Sequence, residues 1–178
     1  RISHPDNTPH HRRPVAPSAI SADHPMFTPN GMQQAPMPRA LTTAEVKQTV
    51  KDFAHAAKRA IEAGADGVEI HGANGYLVQQ FIAPNANTRT DEYGGSIENR
   101  TRLLTEILAV VIKEVGARRV GVHLSPASPS NDLSDSNPQE LFTHVVERGD
   151  AVDLVYIQSV GRAGGRDGEW GGGGTRGG

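Results

Sequence analysis

Within six residues, His71-Gly72-Ala73-Asn74-Gly75-Tyr76 gathers an imidazole, a carboxamide and a phenol. The first two can donate hydrogen bonds to a carbonyl oxygen. A tyrosine, with an ordinary pKa near ~10, stays protonated at neutral pH and can give a proton up. The run directly follows Asp66-Gly67-Val68-Glu69-Ile70, whose alternation reads as a strand. Three side chains able to polarise a carbonyl or move a proton therefore gather where a strand gives way to a loop. In a β/α barrel such loops converge on one mouth and carry the chemistry. Taken alone, a His-x-x-Asn pair equally suits a sharp loop that needs tying down, with the tyrosine packed beside it.

The surrounding elements repeat a helix, a glycine turn and a strand between Thr42 and Val160. Thr42-x-x-Glu45 is a capping box, in which hydroxyl and carboxylate satisfy free N–H groups of the first turn. Val46, Val50, Phe53, Ala57 and Ile61 then fall on one helical face, and Gly64 ends the helix. A second helix opens at Ser96, carries Leu104, Ile107, Leu108, Val111 and Val115, and stops at Gly116. Its strand is Val120-Gly121-Val122-His123-Leu124-Ser125-Pro126. A third helix opens at Asn137-Pro138-Gln139-Glu140, with an N-cap, a first-turn proline and a capping glutamate, and runs to Gly149. The strand Asp153 to Gln158 follows.

Three successive α-to-β units predict a parallel sheet with helical crossovers. That pattern fits both a barrel and an open doubly wound sheet. Side-chain parity favours the barrel. Glu69 and His71, His123 and Ser125, and Gln158 point away from the most apolar side chains. A sheet covered on both faces would have continuously apolar strands instead.

The flanks read differently. Residues 1–41 hold eight of the 12 prolines and no sustained period, and Pro29-Asn30-Gly31 marks a turn. This segment is expected to be irregular and draped over the barrel mouth. Residues 161–178 hold ten of the 20 glycines and are expected to be disordered, with residues 42–160 forming the core between. A net charge of −2 gives no electrostatic reason for nucleic acid or an anionic membrane as partner. With no cysteine, thiolate and disulfide chemistry are excluded. No apolar run reaches the ~20 residues of a spanning helix, and a cytoplasmic location is the default expectation. His4, His10, His11 and His24 lack carboxylates or regular spacing suited to a metal, so none is expected.

Arg89-Thr90-Asp91-Glu92-Tyr93-Gly94-Gly95-Ser96 opens a helix and invites a phosphate-loop reading. Asp91, Glu92 and Glu98 would repel a phosphate, so a buttressing turn beneath the His71 loop is the better reading.

The His71 loop and Tyr93-Gly94-Gly95-Ser96, with Pro14-Val-Ala-Pro17, Pro38-Arg-Ala-Leu-Thr42 and Val120-Gly-Val-x-Leu-Ser125-Pro126, resemble the old yellow enzyme family of flavin-dependent ene-reductases. The resemblance covers roughly residues 12–160. It implies a TIM (β/α)8-type barrel, FMN as cofactor and NADPH or NADH as hydride source. The implied reaction reduces the C=C bond of an α,β-unsaturated carbonyl compound. His71 and Asn74 would then clamp the carbonyl oxygen, and Tyr76 would protonate the α-carbon. The electrostatics agree: charge builds on that oxygen during hydride addition, so two fixed donors stabilise the transition state most.

At His123 the family has an arginine that reaches the N1–C2 edge of the flavin; histidine is shorter and only partly charged at neutral pH. A complete barrel of this type runs to about 250 residues, so 178 residues with three legible core strands imply a partial barrel lacking its N-terminal and C-terminal strands. The resemblance places the flavin-phosphate site in those later strands. The competing expectation is a non-catalytic barrel remnant that binds no flavin and acts by associating with another chain. Exposed sheet edges would promote such self-association.

Overall fold

The computed structural model describes residues 1–126, 130–134, 137–150 and 152–160. The elements run β1 (Val15–Ala16), β2 (Pro25–Thr28), β3 (Gly31–Gln34), β4 (Arg39–Ala40) and α1 (Thr43–Glu62). They continue with β5 (Val68–Gly72), α2 (Leu77–Ile82), α3 (Ile97–Val115), β6 (Val120–Leu124), α4 (Pro138–Asp150) and β7 (Tyr156–Ser159).

Both long helices begin where their caps dictate. Thr42 and Glu45 form the reciprocal capping box of α1, and Ser96 accepts the Asn99 N–H at the start of α3. Gly64 at φ +98° and Gly116 at φ +88° supply the left-handed turn after each helix, which an L side chain would strain. The Asn137 side chain accepts from the Glu140 N–H as α4 opens.

Sheet order is β5-β6-β7, all parallel. Ile70, Val120, Val122 and Leu124 face the helices and merge with Val46, Leu104, Ile107 and Val111 in one core. Ile107 has no exposed surface; truncating such a side chain costs about 2–5 kcal/mol. Glu69, His71, His123, Tyr156 and Gln158 occupy the other face, which no helix covers among the described residues. Helices on one face and a polar row on the other describe a sector of a barrel wall, not a sheet sandwiched between helical layers.

Three expectations shift. The first strand lies two residues later than its composition suggests, because the ladder with β6 continues through His71↔His123 and Gly72↔Leu124. His71 therefore ends a strand instead of opening a loop. The last strand starts at Tyr156, since Asp153 at φ +54° cannot extend it backwards. Ser125 does not join the open polar face; it lies beyond β6 with no exposed surface.

Residues 1–41 contain more regular structure than their prolines imply. β2 and β3 form an antiparallel hairpin around Pro29-Asn30, closed by Gly31 at φ +95°, and β1 pairs in parallel with β4. The glycine-rich stretch 161–178 lies outside the described residues. Among the described residues no helix is long and apolar enough to cross a membrane.

Candidate active site

The His71 loop is fixed by its backbone, which leaves its side chains free. Asn74 at φ +54° and Gly75 at φ +79° reverse the chain, so that Tyr76 caps α2. The Asn74 N–H donates to Ser125 Oγ at 2.8 Å, and its carbonyl accepts from Asn131 Nδ2 at 2.7 Å. Gly75 donates to Gln79 Oε1 and accepts from Gln80 Nε2, each at 2.7 Å. Gln79 closes the circuit through Ser125, whose hydroxyl donates to Oε1 at 3.0 Å and whose carbonyl accepts from Nε2 at 3.1 Å. Only glycine fits at position 75, since a Cβ there would stand 2.5 Å from both Asn131 Cβ and Ser130 O.

Against this fixed backbone the three candidate side chains remain available. Neither the His71 imidazole nor the Asn74 amide spends a hydrogen bond on the described residues. The His71 ring lies 5.4 Å from the Tyr76 ring and 5.3 Å from that of His123, centroid to centroid. Tyr76 is 46% exposed, open to a ligand. Burial, helped by the neighbouring His123, pushes the His71 pKa below its ordinary value, while Glu69 opposes the shift. The neutral imidazole that results can donate without carrying charge.

Two polar rows cross the open face in register. Glu69, Gly121 and Tyr156 form one; His71, His123 and Gln158 form the next. Tyr156 lies across Gly121, where a Cβ would come within 2.4 Å of the ring, and its hydroxyl donates to Glu69 Oε2 at 2.9 Å. That bond raises the Tyr156 pKa. Glu69 Oε1 stands 3.9 Å from His123 Nδ1. His123 Nε2 is buried and has no hydrogen-bond partner among the described residues. Tyr156 was not singled out by its sequence, although it shares strand parity with Gln158. Gln79 and Asn131 carried no such signal, because their contacts join distant segments.

The Arg89 segment ties α1 and the N-terminal stretch to α3, and these bonds do not reach the His71 loop itself. Arg89 pairs with Asp91 at 2.5 Å and donates to the carbonyls of Pro17 and Leu41. Arg89 holds the Asp91 carboxyl well below its usual range, with help from Thr43. Tyr93 is fully buried and donates to Glu106 at 2.8 Å; burial first, then that carboxylate, pushes its pKa up. Arg100 donates to the carbonyls of Ile82 and Gly95, locking α3 beneath the end of α2.

Comparison with known proteins converges on one group. Residues 2–158 match the NADH:flavin oxidoreductase / NADH oxidase family, beginning ten residues before the stretch that carries the sequence motifs. The chain is 52% identical over 153 residues to the flavin oxidoreductase hxnT of Emericella nidulans, covering 84% of this chain and 39% of that protein. The old yellow enzyme homologue of Zymomonas mobilis superposes with TM-score 0.83 at 38% identity, over 85% of this chain and 43% of that one. Morphinone reductase in complex with tetrahydroNAD gives TM-score 0.84 at 38% identity, over 89% of this chain and 46% of that one. The chain thus spans less than half the length of the relatives it matches, and its three parallel strands are a sector of their TIM barrel. It belongs to the NADH:flavin oxidoreductase family of the old yellow enzymes.

Proposed function

We propose that this chain carries the carbonyl-binding and proton-donating part of an FMN-dependent ene-reductase, which reduces the C=C bond of α,β-unsaturated carbonyl compounds with NAD(P)H. One observation carries the reading. The His71 loop is held by Ser125, Gln79, Gln80 and Asn131 through its backbone, while the His71 and Asn74 side chains keep their hydrogen-bonding capacity. A loop built only for folding would spend those side chains on itself.

FMN, when bound, supplies the hydride. The open face suits such a group, since the buried His123 Nε2 has no partner among the described residues and a ligand edge could provide one. His123 would meet the flavin, with Glu69 and Tyr156 bracing its far side. His71 and Asn74 donate to the substrate carbonyl oxygen, holding it where negative charge develops. Tyr76, exposed beside His71, delivers the proton to the α-carbon. Self-association through the open edges of β5 and β7 belongs to the same proposal.

The visible absorption of protein purified with added FMN tests the reading. Retained flavin with a perturbed spectrum supports it. A colourless protein, with FMN passing freely through a desalting column, would support the non-catalytic reading instead.

A further inference from the structure

Glu69 and Tyr156 stand on either side of β6, yet their side chains meet: the phenol hydroxyl donates to Glu69 Oε2 at 2.9 Å. Gly121 makes this possible. It lies between them in the same register row, and a side chain there would fill the space that the phenol crosses. The bond raises the Tyr156 pKa, so the phenol stays a donor at neutral pH. One carboxylate oxygen is thereby held, and the other, Oε1, faces His123 Nδ1 at 3.9 Å. That separation is longer than a hydrogen bond, so the carboxylate acts on the ring through its charge. A negative charge beside a neutral imidazole favours the tautomer whose N–H points at it. The proton then sits on Nδ1, and Nε2 carries the lone pair. Nε2 is the buried nitrogen without a partner among the described residues. His71, 5.3 Å away between ring centroids, is held neutral by burial and brings no competing charge.

We propose that Glu69 is a positioning residue for His123: held by Tyr156, it fixes the Nδ1–H tautomer and leaves Nε2 as the atom offered to a ligand on the open face. For the identity of that ligand the inference rests on the ene-reductase reading; the Glu69–Tyr156 pair itself does not. With the proton on Nδ1, the neutral ring accepts at Nε2 from a heterocyclic N–H. The protonated ring donates from the same atom to an anionic ring edge, with Glu69 supplying the compensating charge. An arginine at this position could only donate. The pair therefore suits a heterocycle whose edge carries an N–H in one state and a negative charge in another. An untethered imidazole would share its proton between both nitrogens and offer neither state a fixed partner.

Nitrogen NMR of the imidazole side chains tests this in the flavin-free, 178-residue chain, because protonated and unprotonated ring nitrogens resonate far apart. The His123 signals are identified by their loss in His123→Gln. At about pH 9, where an ordinary imidazole is neutral, wild-type His123 should carry its proton on Nδ1. Glu69→Ala should move that proton to Nε2, the nitrogen that histidine in water prefers. Tyr156→Phe keeps the carboxylate but releases it, and should move the proton part of the way. Glu69 is exposed on the face no helix covers among the described residues, so both variants should keep the wild-type circular dichroism. A proton on Nε2 in the wild type, or the same tautomer in the wild type and in either variant, would overturn the assignment. The expected tautomer changes in a chain that retains no FMN would uphold the positioning pair and remove the ene-reductase reading alone.

Discussion

Asn74 donates its backbone N–H to Ser125 Oγ over 2.8 Å, and this bond ties the loop after β5 to the end of β6. Because Asn74 sits at φ +54°, the loop is held in a conformation that its own residue types do not favour. Ser125→Ala leaves the partly buried Asn74 N–H and the Gln79 carboxamide each short of a partner. Thermal or urea unfolding should show a loss of about 1–3 kcal/mol. Enone binding should weaken as well, because the Asn74 amide loses its fixed origin. An unchanged stability would mean that Asn131, Gln79 and Gln80 hold the loop without Ser125.

The depressed pKa of His71 carries a sign that can be checked. The folded protein holds this imidazole neutral, while the unfolded chain takes up a proton near pH ~6.5. Its contribution to stability is therefore fully present above that value and is lost as pH falls through it. His71→Gln removes the contribution, so the melting temperature should fall less between about pH 8 and about pH 5 in the variant than in the wild type. Parallel pH profiles would show that His71 is solvated and unshifted.

The two long helices were legible because their signals are local. The Thr42–Glu45 box, the Ser96 cap, the apolar stripes and the terminal glycines all lie within the helix or one or two residues beyond it. The polar parity of Glu69, His71, His123 and Gln158 likewise survives folding, because register preserves it. What was not legible depends on partners far along the chain. β5 extends through His71 because β6 is there to pair with it. α2 escaped notice because Val78, Gln79, Gln80, Phe81 and Ile82 are all buried, which leaves no amphipathic stripe to read. The hairpin of β2 and β3 puts Phe27 and Met32 opposite each other on the exterior, 76% and 62% exposed, so burial left no alternation in the sequence. Of the site, His71, Asn74 and Tyr76 were visible as residue types. The Ser125–Gln79 circuit that holds them exists only in three dimensions.

The proposed place of His123 against the flavin can be tested by substitution. If the open face binds FMN against this side chain, His123→Arg supplies a permanent guanidinium and should bind the reduced cofactor about tenfold tighter. Fluorescence titration with oxidised FMN, and anaerobic titration with reduced FMN, would measure both states. An unchanged or weaker affinity for reduced FMN would take His123 out of the cofactor site.

Among the described residues the outer edges of β5 and β7 are unpaired, with Val155, Tyr156 and Val160 exposed at β7. Unpaired parallel edges next to apolar side chains template further strand pairing. On its own this chain should elute as dimers or larger species in size-exclusion chromatography with light scattering, increasingly so with concentration. A monodisperse monomer with a sharp, high-temperature melt would show that these edges are already protected.

The central claim is that the His71 loop performs enone reduction, and anaerobic half-reactions test it most directly. The FMN-loaded protein is reduced with NADPH and then mixed with 2-cyclohexenone while the oxidised flavin absorbance returns. Enone-dependent reoxidation well above that of free reduced FMN is expected. Replacing His71 or Asn74 with alanine should slow it by about two to three orders of magnitude, the usual cost of losing one donor to a developing oxyanion. Tyr76→Phe should slow this step and leave flavin reduction by NADPH unchanged. Reoxidation no faster than that of free flavin, or equal in the wild type and the His71 and Asn74 variants, would contradict the assignment.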